Sequence, residues 1–169
     1  MDDDERRRVT ARGERRTLPL RIYVDADACP VKPEILRVAQ RYDVAVTLVA
    51  ASWMRIQADD RITLEIVGGG FDAADDWIAA RVARDDLVIT ADIPLAARCL
   101  AAGALVLAPT GRPFTESNIG DVLATRNLLA ELRGAGMETG GPAPFDARDR
   151  SRFLQALDQA VQTQRRRAQ

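Results

Sequence analysis

From residue 18 the chain alternates short apolar runs with amphipathic ones. "LRIYVD" (20–25), "AVTLVAA" (45–51), "ITLEIVG" (62–68), "DLVITA" (86–91) and "ALVLAP" (104–109) are brief and rich in β-branched residues, and they predict five strands. Three longer stretches between them predict helices: "VKPEILRVAQRY" (31–42), "DAADDWIAARVA" (72–83) and "PLAARCLAAG" (94–103). Pro33 is tolerated in a first turn, Ile78 and Val82 stand four apart on one face, and Gly103 closes the third helix just past its last turn. Strands apolar on both faces and separated by helices belong in a parallel sheet covered on both sides. The expected fold is therefore a three-layer α/β/α domain with a mostly parallel, twisted sheet, doubly wound by right-handed crossovers.

Beyond Pro109 the pattern becomes helical. "TESNIGDVLATRNLLAELR" (115–133) carries Ile119, Val122, Leu123, Leu129 and Leu132 at near-helical spacing, and "METGGPAPF" (137–145) reads as a loop. "DARDRSRFLQALDQAV" (146–161) opens with Asp146 and Asp149 in an acidic variant of a capping box. These two helices form a C-terminal extension expected to pack on the sheet or to mediate self-association into a homo-oligomer. The expected organisation is a disordered charged tail (1–17), one domain (18–162) and a basic tail (163–169).

Composition narrows the chemistry. The 169 residues are 47% hydrophobic and 29% charged, enough for a real core. No apolar run approaches the ~20 residues of a membrane helix. "MDDDERRRVTARGERR" lacks the apolar stretch of a secretory signal, and Cys29 and Cys99 read as free thiols, so a cytoplasmic protein is expected. Histidine is absent, which excludes Ser/His/Asp and Cys/His nucleophile systems and His-based zinc sites. Net charge is −1, so no global basic field announces nucleic acid; Arg6–Arg8, Arg15–Arg16 and Arg165–Arg167 read as solvated tails. Aromatics are only 5%, no base-stacking platform is evident, and Trp53 and Trp77 read as packing residues. Cys29 sits near a helix N-terminus that would lower its pKa, but a buried small hydrophobe is the favoured reading. Gly68–Gly70 lacks dinucleotide-fingerprint spacing and reads as a flexible turn.

The acids carry the chemistry. In an open α/β sheet, ligands bind beyond the carboxyl ends of the strands. Asp25 and Asp27 end the first strand, Asp72, Asp75 and Asp76 follow the third, and Asp92 follows the fourth. Helix capping explains some of them: Asp72 with Asp75 fits an N-cap and N3, and Asp92 precedes Pro94 as a cap would. It does not explain Asp25, several residues from any helix. Two carboxylates ~4 Å apart repel by ~1 kcal/mol in water and several-fold more near a protein surface. With no histidine and Lys32 the only lysine, the counter-charge to expect is a divalent cation, and all-oxygen ligands favour Mg²⁺ or Mn²⁺. Such a cation orients phosphates and activates water.

"VDADACPV", "GFDAADDWI", "DLVITADIPLA" and "TGGPAPF" together resemble the YaiI/YqxD family of uncharacterised bacterial proteins, in order and from residue 20 to about 160. "DDWIAARVARDDLVITAD" is in turn similar to the second and third acidic motifs of PIN-like (NYN-like) nucleases. That resemblance implies a PIN-like, Rossmann-type sheet, with Asp25, Asp75 and Asp92 in the three acidic positions and Thr90 as a hydroxyl near the metal. The chain departs by a second acid at Asp27 and doubled acids at Asp75 and Asp76, which leaves open which of each pair coordinates.

Three functions follow. The first is a metal-dependent phosphodiesterase acting on RNA or single-stranded DNA. Asp25, Asp75 and Asp92 are its metal ligands, Asp27, Asp72 and Asp76 its extra ligands or water-orienting groups. Lys32, Arg55, Arg98 and Arg126 are its candidate phosphate clamp, each weighed against an ordinary solvated side chain. The second is an aspartyl-phosphate phosphatase, with Asp25 as nucleophile and Asp27 as acid/base. The third is a non-catalytic module that binds nucleic acid or protein.

Overall fold

The computed structural model describes residues 19–141 and 144–168. The first strand, β1 (Arg21–Asp25), buries Ile22, Tyr23 and Val24 alike, so both of its faces are covered, as a central strand requires. Parallel partners flank it: β2 (Ala45–Ala50) on one side and β4 (Leu87–Ile89) on the other. With β3 (Ile62–Ile66), β5 (Leu105–Leu107) and β6 (Pro113–Phe114) the order is β3-β2-β1-β4-β5-β6, parallel except for β6. The expected α/β architecture is present. The five predicted strands form with ends trimmed by up to two residues; β6 was not predicted.

Side-chain alternation divides the core in two. Ile22, Val24, Val46, Leu48, Leu87 and Ile89 point to one face, where α1 (Lys32–Tyr42) and the C-terminal α5 (Ala147–Arg167) cover them with Ile35, Val38, Phe153, Leu157 and Val161. Tyr23, Val49, Val88 and Val106 point to the other, under α2 (Ala73–Arg81) and α3 (Ile93–Ala101), which supply Ile78, Leu95, Cys99 and Leu100. Gly103 follows α3 with φ +86, as its place after the cap requires.

The C-terminal extension differs in detail from expectation. Its first helix, α4 (Ile119–Gly134), starts four residues late: Thr115 and Asn118 exchange side chain–backbone hydrogen bonds and fold 115–118 into a turn. It buries no residue fully, although Ile119 and Val122 pack on the second core. The acidic capping box is present, Asp149 N donating to Asp146 Oδ1 (2.9 Å) and Asp146 N to Asp149 Oδ2 (3.1 Å). Helix α5 runs on to Arg167, where a basic tail was expected, because Gln164 is buried and donates to the Asp85 carbonyl (2.9 Å). The tail clusters Arg6–Arg8 and Arg15–Arg16, and Pro142 of the expected loop, lie outside the described residues. No helix among the described residues is long and apolar enough to cross a membrane.

The β5–β6 turn meets α5 with no room between backbones. A Cβ on Gly111, at φ +85, would lie 2.8 Å from the Arg152 carbonyl and from Phe153 N. Gly111→Ala is therefore expected to destabilise the fold by about 2 kcal/mol or more, through left-handed backbone strain and overpacking together. Thermal melts of the two chains measure this.

Candidate active site: aspartates at the carboxyl edge of the sheet

The chain leaves β1 toward α1 on one face and leaves β4 toward α3 on the other. A crevice therefore opens between the carboxyl ends of these neighbouring strands, the place where such sheets bind ligands. Asp25, the last residue of β1, stands on one side and the segment Thr90–Asp92 on the other. Thr90, 1% exposed, links them: its Oγ1 donates to Asp25 Oδ2 (3.1 Å) and accepts from Asp92 N (2.9 Å). Asp92 caps α3, its Oδ1 accepting from Leu95 N (2.9 Å), so the capping role expected for it is real. Asp75 reaches the same crevice from the first turn of α2, half-buried and within electrostatic reach of Asp92 and Asp25.

The electrostatics report how close these acids stand. Burial first, then the charges of Asp92, Asp25 and Asp72, push the Asp75 carboxyl up to about 7. Asp25 is also raised, chiefly by burial, against the lowering effect of the Thr90 hydrogen bond, with Asp92 and Asp27 adding repulsion. Below about pH 7 the raised Asp75 carboxyl is mainly protonated, which relieves its repulsion with the neighbouring acids.

The remaining acids have other partners. Asp27 turns to β2 and accepts from Ala51 N at 3.0 and 3.3 Å, while its charge still acts on Asp25. Asp76 pairs with Arg98 (2.7 Å) on the exposed surface. Asp72 differs from the expected cap: it precedes α2 at φ +66, makes no capping bond, and its charge acts on Asp75. Left-handed backbone is tolerated best by glycine, asparagine and aspartate, which accounts for an aspartate at this turn. Among the basic candidates, Lys32 Nζ donates to the Cys29 carbonyl (3.0 Å), Arg98 is held by Asp76, Arg55 is exposed on the β2–β3 connection, and Arg126 is exposed on α4 beside Asn127 (3.4 Å). The Cys29 thiol is raised by burial and behaves as the small hydrophobe favoured above; Cys99 is pushed up to about 12 for the same reason.

Trp77 packs, edge-on to Tyr23 and under the Arg81 guanidinium, which lies 4.0 Å from its ring centre. Trp53 does not: it is 72% exposed just beyond β2, and Phe71, immediately before Asp72, is 100% exposed. The packing role expected for Trp53 is thus corrected, because the β2–β3 crossover contains no helix under which it could be buried.

No group of three or more His, Cys, Asp or Glu able to hold a metal ion is preformed among the described residues. The donor chemistry at the crevice still suits a hard cation. All of the clustered groups are carboxylates, and Mg²⁺ typically takes one or two of these and completes its shell with water and phosphate oxygens. Because burial and neighbouring acids raise the Asp75 carboxyl to about 7, a cation there would compete with a proton below that pH.

No solved structure matches the chain. Among curated proteins it is similar to UPF0178 proteins of Nitrobacter winogradskyi (58% identity over 147 residues, 87% of this chain and 94% of the relative). Others come from Bradyrhizobium diazoefficiens (58% over 149 residues, 88% and 89%) and Azorhizobium caulinodans (59% over 143 residues, 85% and 90%). A family model described as "Uncharacterized BCR, YaiI/YqxD family" matches residues 23–163, and the chain belongs to that family.

Proposed function

We propose that the protein is a metal-dependent phosphodiesterase acting on RNA or single-stranded DNA at the β1–β4 crevice. The observation that carries this reading is the meeting of Asp25, Asp75 and Asp92, from three distant parts of the chain, at the switch point of a doubly wound sheet. Structural needs do not account for it. Asp92 is employed as a cap, but Asp25 and Asp75 cap nothing, and placing them together opposes folding. The likeness of "DDWIAARVARDDLVITAD" to PIN-like nuclease motifs points the same way.

When bound, Mg²⁺ or Mn²⁺ supplies a Lewis acid for the phosphate and a more acidic water. Asp25, Asp75 and Asp92 would hold it, with Asp72 beside them. Thr90 fixes the Asp25 carboxylate through one hydrogen bond and the start of α3 through the other, so it acts as a positioning residue. Asp75 would bind the cation as its carboxylate, so a raised carboxyl there would make metal binding compete with protonation. The exposed rings of Trp53 and Phe71 follow β2 and β3, on the same edge of the sheet, and offer π-faces to unpaired bases but not to a stacked duplex.

The test is hydrolysis of a mixed-sequence oligonucleotide pool by the full chain, with Mn²⁺ and with chelator. Cleavage of single strands only with Mn²⁺, lost in Asp92→Asn (which keeps a capping side chain), is the expected outcome. Equal cleavage by Asp92→Asn would trace the activity to a contaminant.

A further inference from the structure

Outside the aspartate cluster, an open cavity of about 490 Å³ lies between the β5–β6 turn and α5, lined by Arg112, Arg152, Thr110, Gln155 and Gln159. Its volume lies within the range of ligand pockets. Two backbones that touch define its floor, since Gly111 packs directly on the main chain of Arg152 and Phe153. The turn itself is closed by two hydrogen bonds, Ala108 N to the Arg112 carbonyl and Gly111 N to the Ala108 carbonyl, both 2.9 Å. The arginine backbones are therefore fixed relative to each other.

The lining is one-sided in charge. It holds two guanidiniums, two carboxamides and a hydroxyl, and no acid. Arg152 reaches Asp149 only at 4.0 Å, and Arg112 makes no ion pair among the described residues. Two exposed arginines and no acid border this space, which favours an anion there, and their planar forks suit phosphate oxygens.

Its position relates it to the crevice. The turn follows the carboxyl end of β5, which neighbours β4. The start of α5 is held at the same edge, because Arg150 donates to the Pro30 carbonyl (2.9 Å), in the loop after Asp27, and pairs with Glu34 (3.2 Å). From β1 through β4 to β5 is two strand spacings, roughly 10 Å, and α5 covers the face opposite α2 and α3, so the cavity stands farther than this from the aspartates.

We infer that the Arg112–Arg152 cavity binds a backbone phosphate of single-stranded nucleic acid, a few nucleotides away from the bond held at the aspartates. The polymer's identity rests on the phosphodiesterase reading; the phosphate site rests on the cavity alone. Aromatic faces on the β2–β3 side and guanidiniums on the β5 side then bracket the crevice along one edge of the sheet.

The experiment is equilibrium binding of a labelled single-stranded oligonucleotide to the full chain in EDTA, over a salt series, for the wild type and the double variant Arg112→Gln/Arg152→Gln. Both side chains are exposed, and matching melting curves verify the fold. The double variant is expected to bind at least about ten-fold more weakly. Its slope of log K against log salt should be shallower by about 0.7, because one fewer phosphate is neutralised. Equal affinity and equal slope overturn the phosphate site. Tight binding of pyrophosphate that needs both arginines, with no binding of the oligonucleotide, retains the phosphate site and overturns the polymer. Arginine-dependent oligonucleotide binding without Mn²⁺-dependent cleavage sustains this inference while the phosphodiesterase reading fails; cleavage with arginine-independent binding does the reverse.

Discussion

Asparagine in place of Asp25 is expected to lower Mn²⁺-dependent cleavage by at least about a hundred-fold while leaving the melting temperature unchanged or higher. The two halves of this expectation have separate causes. Activity falls because the amide removes one anionic ligand from a site with few others. Stability holds because the substitution preserves shape and the one hydrogen bond that matters: Thr90 Oγ1 can donate to the amide oxygen as it does to Asp25 Oδ2. It also removes a charge that the fold disfavours, since burial and the neighbouring Asp92 and Asp27 raise the Asp25 carboxyl above its ordinary value. A carboxyl raised in the folded state adds stability that is present below its unfolded value and lost as pH rises through the folded one. The advantage of Asp25→Asn should therefore grow from acid toward neutral pH. Melts of both chains across pH 4–8, beside the cleavage assay, measure both halves; a variant that fails to fold would assign Asp25 a structural role.

The second large effect concerns Asp75 and proton–metal competition. Its carboxyl is raised to about 7, mainly by burial and then by Asp92, Asp25 and Asp72, from an ordinary value of 3.8. Between those values the folded chain binds a proton that the unfolded chain has lost, so this group's contribution to stability declines as pH rises toward 7 and is gone above it. Asp75→Asn should melt higher than the wild type at pH 8, with the gap closing toward pH 4. For a chain of this size each kcal/mol of relieved repulsion is about 2–4 °C, reduced by solvent screening at a half-exposed group. Mn²⁺ should stabilise the wild type at pH 8 far more than at pH 5.5, where it must displace the proton, and should do little for Asp75→Asn. Differential scanning calorimetry with and without Mn²⁺ reads all three; a pH-independent metal shift that persists in Asp75→Asn would remove the aspartates from the site.

Much of this was legible in the sequence, for identifiable reasons. Strands that are apolar on both faces imply a parallel sheet, and a parallel sheet by its nature places Asp25 and Asp92 at its carboxyl edge. The capping roles of Asp92 and of Asp146 with Asp149 were readable because caps depend on local spacing. Long-range partners were not readable. Nothing near Asp27 announces Ala51, and nothing near Asp76 announces Arg98. The φ of Asp72 depends on how the Gly68–Gly70 turn delivers the chain to α2. β6 is two residues long and begins with proline, too little for any periodicity. The end of α5 is rich in arginine and reads as a tail; only the fold brings Gln164 to the Asp85 carbonyl. Arg112 stands beside a glycine in a turn, where a basic residue is ordinary; only packing against α5 gives it Arg152 for company.

The double employment of Asp92 bears on how the crevice should be dissected. One oxygen holds the amino end of α3, which carries Leu95, Cys99 and Leu100 into the core. Truncation to alanine would fray that helix and lower yield in the cell, so a growth or abundance screen would rank Asp92 among the architectural positions. Its neighbour across the crevice, Asp25, would pass the same screen almost unnoticed. Two members of one cluster would then be filed apart, and only isosteric amides compared side by side would reunite them.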